Sequence, residues 1–322
     1  MLKIHSEFYT YYTRKEEVME YILETQNLEK KYGKFRAISG LNMHVPKGSI
    51  YGLIGKNGAG KTTLIRIICG LQKPTSGTYT IYGISNDSKK IIEERKRIGA
   101  IIETPSICFD MTAEENLKEQ YKVIGLPSYD GINELLKLVE LDKTGEKTAK
   151  HFSLGMKQRL GIAIALVGNP DILILDEPIN GLDPEGIIEV RELILKLNKE
   201  KGITFLISSH YLDELAKVAT CYGFIDNCKI VKEISSKELE KNFTKRIQIK
   251  VSDIKECIRY LEEQNLSYKV ISADTVNIYE KINVSELVIA LSKRNCTVND
   301  FNEQGESLEN YFLNLVGGAE NV

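Results

Sequence analysis

The chain is short of several features that would narrow its class at once. No apolar run approaches the ~20 residues that cross a bilayer; the longest candidates, such as Ile172 to Leu175, have the length of a buried strand. The amino-terminal stretch has neither the apolar segment nor the small-residue cleavage site of a secretion signal. The expectation is therefore a cytoplasmic chain whose membrane role comes through a partner. An excess of one charge is also missing. Against 43 Lys and Arg stand 45 Asp and Glu, a net charge of −2, so no bulk electrostatic pull toward nucleic acid or anionic lipid is expected. The six cysteines (Cys69, Cys108, Cys221, Cys228, Cys257 and Cys296) include no Cys-x-x-Cys pair. They read as reduced residues of the core or surface rather than metal ligands or disulfides.

What is present suffices for one large domain and a small one: 322 residues, 42% of them hydrophobic. Residues 1–18, with Phe8, Tyr9, Tyr11, Tyr12 and the charged run from Arg14 to Glu17, show no clear period. Either Met19 is the natural start or these residues form a loosely held extension; an ordered helix is the plainer alternative. From residue 19 to about 235, short apolar strands alternate with helical stretches. Ser49 to Ile54, Ile172 to Leu175 and Ile203 to Ile207 are near-continuous apolar runs, as expected of strands buried on both faces of a parallel sheet. Thr78 to Tyr82 reads as an antiparallel strand. Tyr222 to Asp226 and Lys229 to Glu233 read as a hairpin, although Asn227-Cys228 is a weaker turn than Asn-Gly. Residues 104–168 are mostly helical, opening on the capping box Thr112-Ala-Glu-Glu115, and interrupt the alternation as an inserted subdomain. From 236 to 322 the order β-α-β-β-α-β, followed by a final helix over Ser307 to Val316, suggests a small α+β, ferredoxin-like accessory domain.

Two motifs carry chemistry. Gly55-Lys56-Asn57-Gly58-Ala59-Gly60-Lys61-Thr62 matches G-x-x-x-x-G-K-[ST] after a buried strand and before a helix that places Leu64, Ile65, Ile68 and Leu71 at helical spacing. Glycines let the backbone wrap a phosphate closely, and the helix N-terminus adds a favourable dipole. Lys61 suits the β and γ phosphates, Thr62 suits Mg²⁺, and Thr63 completes the loop. The second motif is Ile172-Leu-Ile-Leu-Asp176-Glu177-Pro178, an apolar strand ending in two acids at the edge where ligands of open α/β sheets bind. There Asp176 can hold Mg²⁺ and Glu177 can polarise an attacking water. The strand at Ile203 to Ile207 brings Ser208-Ser-His210 to the same edge.

On these motifs, over residues 20–235, the chain resembles an ABC transporter ATPase: an α/β P-loop core with an antiparallel β subdomain and an inserted helical subdomain. Between the two motifs, Phe152-Ser153-Leu-Gly155-Met-Lys-Gln158 is similar to the family signature Leu-Ser-Gly-Gly-Gln, with Ser153 and Gly155 kept and Phe152, Leu154 and Met156 departing. The resemblance implies that Ser153 and Gly155 meet the γ-phosphate held by the opposite subunit, in a dimer that sandwiches two ATP molecules. It implies that Tyr32 stacks on adenine, that Gly181-Leu-Asp183 is the dimer-contact loop, and that His210 contacts the γ-phosphate. It further implies separately encoded permease subunits, no nucleic-acid partner, and a place on the inner face of the plasma membrane. Where the family carries a Gln that binds Mg²⁺ or water, this chain has Glu103, which can still ligate the metal but adds negative charge. Glu103, the altered signature and Ser307-Leu-Glu-Asn-Tyr-Phe-Leu together resemble the subfamily exporting bacitracin- or lantibiotic-type peptides. Export of another cargo (ion, lipid or drug) is the alternative. A ribosome-directed ABC protein is disfavoured by the single phosphate loop, and a module without catalysis by the intact Lys61, Asp176, Glu177 and His210.

Overall fold

A computed structural model describes residues 20–242, 246–280, 282–304 and 308–317. The proposed extension at residues 1–18 lies outside them. The chain opens with two long strands, β1 (Tyr21–Tyr32) and β2 (Phe35–Pro46), and continues through β3 (Ile50–Ile54), α1 (Lys61–Ile68), β4 (Ser76–Ile81), β5 (Ile84–Ser85), α2 (Ile91–Arg95) and β6 (Ile98–Ile101). The inserted helices follow: α3 (Ala113–Ile124), α4 (Ile132–Leu138), a short 3-10 turn at Ala149–His151, and α5 (Leu154–Leu166). Then come β7 (Ile172–Asp176), α6 (Pro184–Lys201), β8 (Thr204–Ser209), α7 (Leu212–Ala216), β9 (Cys221–Asp226), β10 (Lys229–Ser235) and α8 (Ser236–Asn242).

The central sheet has the order β10-β9-β3-β8-β7-β6, with every pair parallel except the β9–β10 hairpin. Every residue of β3, β7 and β8 is buried, because each face of the sheet carries a separate apolar core. One core packs α5, α6 and α7 with the inserted helices; the other holds α1 between this sheet and the antiparallel sheet β2-β1-β4-β5. Parallel pairing has a direct consequence for function. The ends of β3, β6, β7 and β8 all reach one edge, carrying Gly55, Glu103, Asp176-Glu177 and His210 respectively.

Local differences from the sequence reading have physical causes. The helix after the phosphate loop ends at Ile68 with Gly70 at φ +77°, so Leu71 falls outside it and is exposed. The strand β2 alternates only from Leu41 to Pro46; before that, register shifts along its pairing with β1 break the period. The Asn227-Cys228 turn closes its hairpin with both residues at positive φ (45° and 64°). Tertiary bonds hold it there: Ser39 N–H donates to the Cys228 carbonyl at 2.9 Å, and the Cys228 thiol reaches the Arg36 carbonyl at 3.3 Å. The capping box at Thr112 forms in both directions, Glu115 N–H to Thr112 Oγ1 at 3.2 Å and Thr112 N–H to Glu115 Oε2 at 2.8 Å.

The C-terminal segment adds β11 (Arg246–Val251), α9 (Ile254–Glu263), β12 (Tyr268–Ser272), β13 (Thr275–Ile278), α10 (Val284–Ser292), β14 (Val298–Gln304) and α11 (Leu308–Gly317). Its four strands pair antiparallel in the order β12-β13-β11-β14, the ferredoxin-like arrangement of a β-α-β-β-α-β chain. Ile247, Ile249, Val251, Val276 and Ile278 form a third core with Cys257, Leu261, Leu287 and Leu291. All six cysteines are free, and burial pushes the Cys257 thiol up to about 12. The final helix joins a different core. Leu308 and Phe312 pack with the central-sheet residues rather than with α9 and α10. Among the described residues, no helix is long and apolar enough to cross a membrane.

Candidate functional site

Two glycines of the phosphate loop leave no room for a side chain. A Cβ on Gly55 would sit 2.4 Å from Ile225 Cγ2 and 2.6 Å from its carbonyl oxygen. Gly60, at φ +106°, lies against the Ala37 carbonyl and turns the chain into α1. Lys56, Asn57 and Gly58 are exposed, while Ala59 N–H donates to the Lys56 carbonyl at 3.1 Å and closes the turn. The lysine itself is buried. Lys61 Nζ donates to the Gly55 carbonyl at 2.6 Å and stands 3.6 Å from Glu177 Oε1. Thr63 is half-buried in the first turn of α1.

Three strand ends interlock beside the loop. Thr62 donates its hydroxyl proton to Asp176 Oδ2 at 2.8 Å, and the Ser208 hydroxyl donates to Asp176 Oδ1. Ser208 also accepts the Glu177 N–H through its carbonyl at 3.0 Å. Glu177 sits at φ +51°, a conformation uncommon for a side chain of its size, and that aims its carboxylate across the edge. Its Oε2 lies 2.7 Å from His210 Nδ1 and accepts the His210 N–H at 3.2 Å. Lys61, Asp176, Glu177 and His210 thus form one polar cluster at the mouth of the loop. Ser208, wholly buried, is the hub that the sequence reading left without a role. The signal for it was a hydroxyl at the end of an otherwise apolar strand.

The Thr62 hydroxyl and the Asp176 carboxylate are hard oxygen donors facing the phosphate loop, a donor set that fits Mg²⁺. Among the described residues, no group of three or more His, Cys, Asp or Glu could hold a metal unaided. That agrees with the habit of Mg²⁺ of taking one or two protein ligands and completing its shell with phosphate and water. Glu103 stands outside the pair. Its carboxylate accepts a hydrogen bond from Arg66 Nη2 at 2.8 Å, and its backbone, at φ +64°, is spanned by a Thr104 N–H to Ile102 carbonyl bond of 2.8 Å.

A second constellation forms where α5 and α6 begin. Ser153 caps α5, accepting Met156 N–H at 3.2 Å, and Asp183 caps α6, accepting Gly186 N–H at 3.3 Å. Gly155 and Gly186 let the two helices touch: a Cβ on Gly155 would stand 3.3 Å from Gly186 Cα. Ser153, Gly155 and Asp183 are therefore neighbours, and no hydrogen bond joins them to the Lys61–Glu177 cluster. Tyr32 ends β1 half-exposed, its hydroxyl bonded to Gln72 and its ring 5.2 Å from Lys30 Nζ.

A parallel sheet whose edge gathers a glycine-rich loop, a buried lysine and an Asp-Glu pair defines a P-loop nucleotide hydrolase. The family profile described as "ABC transporter" matches residues 38–180. The chain is 41% identical to the bacitracin transport ATP-binding protein BcrA of Enterococcus faecalis, over 94% of this chain and 98% of that one. It is 44% identical to the lantibiotic transport ATP-binding protein SrtF of Streptococcus pyogenes, over 70% of this chain and 97% of that one. Among solved structures it is similar to cbiO1 of Clostridium perfringens, part of an ABC transporter complex (TM-score 0.62, 28% identity, 76% of this chain and 95% of that one). It is also similar to a dimeric ATP-binding cassette in a post-hydrolysis state with ADP and Pi (TM-score 0.59, 26% identity, 66% and 98%). The chain belongs to the ABC transporter family, as one of its ATP-hydrolysing subunits.

Proposed function

We propose that this ATPase drives a separately encoded membrane permease exporting bacitracin- or lantibiotic-type peptides, as self-protection or resistance. The observation that carries this reading is the 41% identity to a bacitracin transport ATP-binding protein across 94% of the chain. That span takes in the C-terminal segment as well as the ATPase. In this reading the chain is cytoplasmic and peripheral, held at the membrane by its permease. Residues 19–235 form the ATPase and 236–322 the accessory region.

The chemistry proposed for the site follows from its geometry. ATP phosphates lie in the loop from Gly55 to Thr63, with adenine on Tyr32. Lys61 exchanges the Gly55 carbonyl and Glu177 for phosphate oxygens. Thr62 and Asp176 would hold Mg²⁺, with Glu103 joining them on leaving Arg66, and the ion would supply charge neutralisation at the phosphates. Glu177 polarises the attacking water, and His210, already bonded to it, orients the γ-phosphate. Ser153, Gly155 and Asp183 act across a dimer, where the α5 N-terminus offers N–H groups and a positive dipole to the phosphate held by the partner. The test pairs a phenotype with chemistry. Loss of the gene is expected to raise sensitivity to bacitracin-type or lantibiotic peptides, wild type to restore resistance, and Glu177→Gln to fail. Unchanged peptide sensitivity alongside normal ATPase activity would point to another cargo.

A further inference from the structure

Among the described residues, the C-terminal region docks on the ATPase through α8 and α11, beside the strands that carry the nucleotide site. Strand β11 follows α8, whose Leu239 lies in the apolar core of the central sheet; β14 leads to α11, whose Leu308 and Phe312 enter the same core. The ring of Phe312 stacks on Phe224 (6.1 Å, 17°), and Tyr311 tilts against the same ring at 5.5 Å. Phe224 is the β9 register partner of Ile54, the residue before Gly55. Helix α11 also packs against α7, the helix that begins two residues after His210.

These two neighbours differ in how firmly they are held. Strand β3 is paired on both sides, by β8 and β9, and is fully buried. Helix α7 has five residues and no side-chain N-cap. It is held by Leu215, whose side chain lies over Gly52, by the partly buried Leu212 on the same core, and by the Glu214–Arg191 bond of 2.9 Å to α6. Such a short helix has little stability of its own and takes its position from what packs on it. Any displacement transmitted by α11 therefore falls on α7 and the His210 loop, not on the phosphate loop.

We propose that α11 is a positioning element for ATP hydrolysis: Phe312 and Tyr311 dock the helix on Phe224, and the docked helix, packed against α7, sets α7 and through it the contact of His210 with Glu177. The unit bearing β11 to β14 thereby gains a mechanical input to turnover. The proposal rests on Glu177 and His210 acting in hydrolysis.

The experiment measures kcat and KM for ATP, and nucleotide affinity separately, on the full chain. Phe312→Ala is expected to lower kcat about three- to tenfold with ATP affinity within twofold. Phe312→Leu recovers at least half of kcat, and Leu313→Ser, on the exposed side of α11, changes neither value. In a His210→Ala background Phe312→Ala costs nothing further, since it acts through that residue. An equal loss of kcat and affinity, an unchanged kcat, or an undiminished loss in the His210→Ala background overturns the proposal. If Phe312→Ala does not fold, Tyr311→Ala, whose ring is only partly buried, enters the same cycle. Glu177→Gln separates the two failures. If it turns over normally, the assignment of the site falls and takes this proposal with it; if it is inactive and the cycle is additive, only this proposal falls.

Discussion

Two of the chain's three sheets, the central and the C-terminal, are built on opposite plans. The central sheet is covered on both faces, so its polar groups have nowhere to go but its edge. There, Thr62, Asp176, Glu177, Ser208 and His210 satisfy one another in a single connected group beside Lys61. The C-terminal sheet collects its apolar side chains on the face covered by α9 and α10 and pairs polar ones on the other, as in the Gln248 to Asn277 bond of 3.1 Å. Its polar groups are spread along the sheet, the buried Asn277 among them, instead of converging on a point. Chemistry that needs several groups within one phosphate's reach follows from the first plan and not from the second. The second plan suits an accessory body that acts through where it is attached.

The largest expected effect breaks the edge itself. Glu177→Gln removes the carboxylate that holds His210 and faces Lys61, and should lower kcat by about 10²- to 10⁴-fold, the usual worth of a general base, with ATP binding retained. Single-turnover hydrolysis alongside equilibrium nucleotide binding checks it; a loss confined to binding would contradict the role. Gly55→Ala attacks the loop by shape alone. Its new methyl group must displace Ile225, main chain included, so overpacking of about 1–3 kcal/mol and loss of nucleotide binding are expected together.

Truncating one buried leucine in each core, Leu206 of β8 and Leu261 of α9, sharpens the comparison. Leu206 and Leu261 are both fully buried, in the central and C-terminal cores respectively. Each Leu→Ala change should cost about 2–5 kcal/mol. The location decides the outcome. Leu206→Ala should lower the unfolding temperature of the ATPase and its activity, whereas Leu261→Ala should lower only a separate C-terminal transition and leave turnover within about twofold. Calorimetry with an ATPase assay on the same samples reads both. A single transition moved equally by both variants would mean that the two cores unfold as one.

The same difference in plan explains what was legible in the sequence. Fully buried parallel strands leave unbroken apolar runs, and glycine loops and paired acids have fixed spacing, so β3, β7, β8, the phosphate loop, Asp176-Glu177 and His210 could all be placed on one edge. The order of strands and helices in the C-terminal unit was also readable, because its one covered face leaves alternation. Contacts between distant segments left no trace. Nothing in Ser307 to Val316 announces that its helix leaves the C-terminal core for Phe224, and the hydroxyl ending β8 marks Ser208 as polar without naming Asp176 as its partner. Arg66 reads as an ordinary surface arginine of α1, yet it holds Glu103. The turn at Asn227-Cys228 was underrated because its support comes from β2, nearly two hundred residues earlier.

The smallest effect concerns Glu103, the one acid delivered to the edge that stays out of the central group. Two opposed contributions act on it. Its pair with Arg66 joins half-exposed groups and is worth about 0.2–1 kcal/mol. Its backbone is held at φ +64° inside a three-residue turn, a left-handed conformation that costs a non-glycine residue about 1–2 kcal/mol; glycine's extra chain entropy offsets about 0.5–1 of that, leaving a gain of about 0.5–1 kcal/mol. Glu103→Gln removes the pair and keeps the strained backbone, so the protein should lose up to about 1 kcal/mol. Glu103→Gly removes the pair and the strain together, so the two contributions should nearly cancel, to within about 0.5 kcal/mol. Arg66→Gln in the Glu103→Gln background should add nothing. Chemical denaturation of the four proteins decides it. If Glu103→Gly is as destabilised as Glu103→Gln, the turn stores no strain. In that case the positive φ is only the geometry by which β6 hands its acid to Arg66 in place of the metal pair.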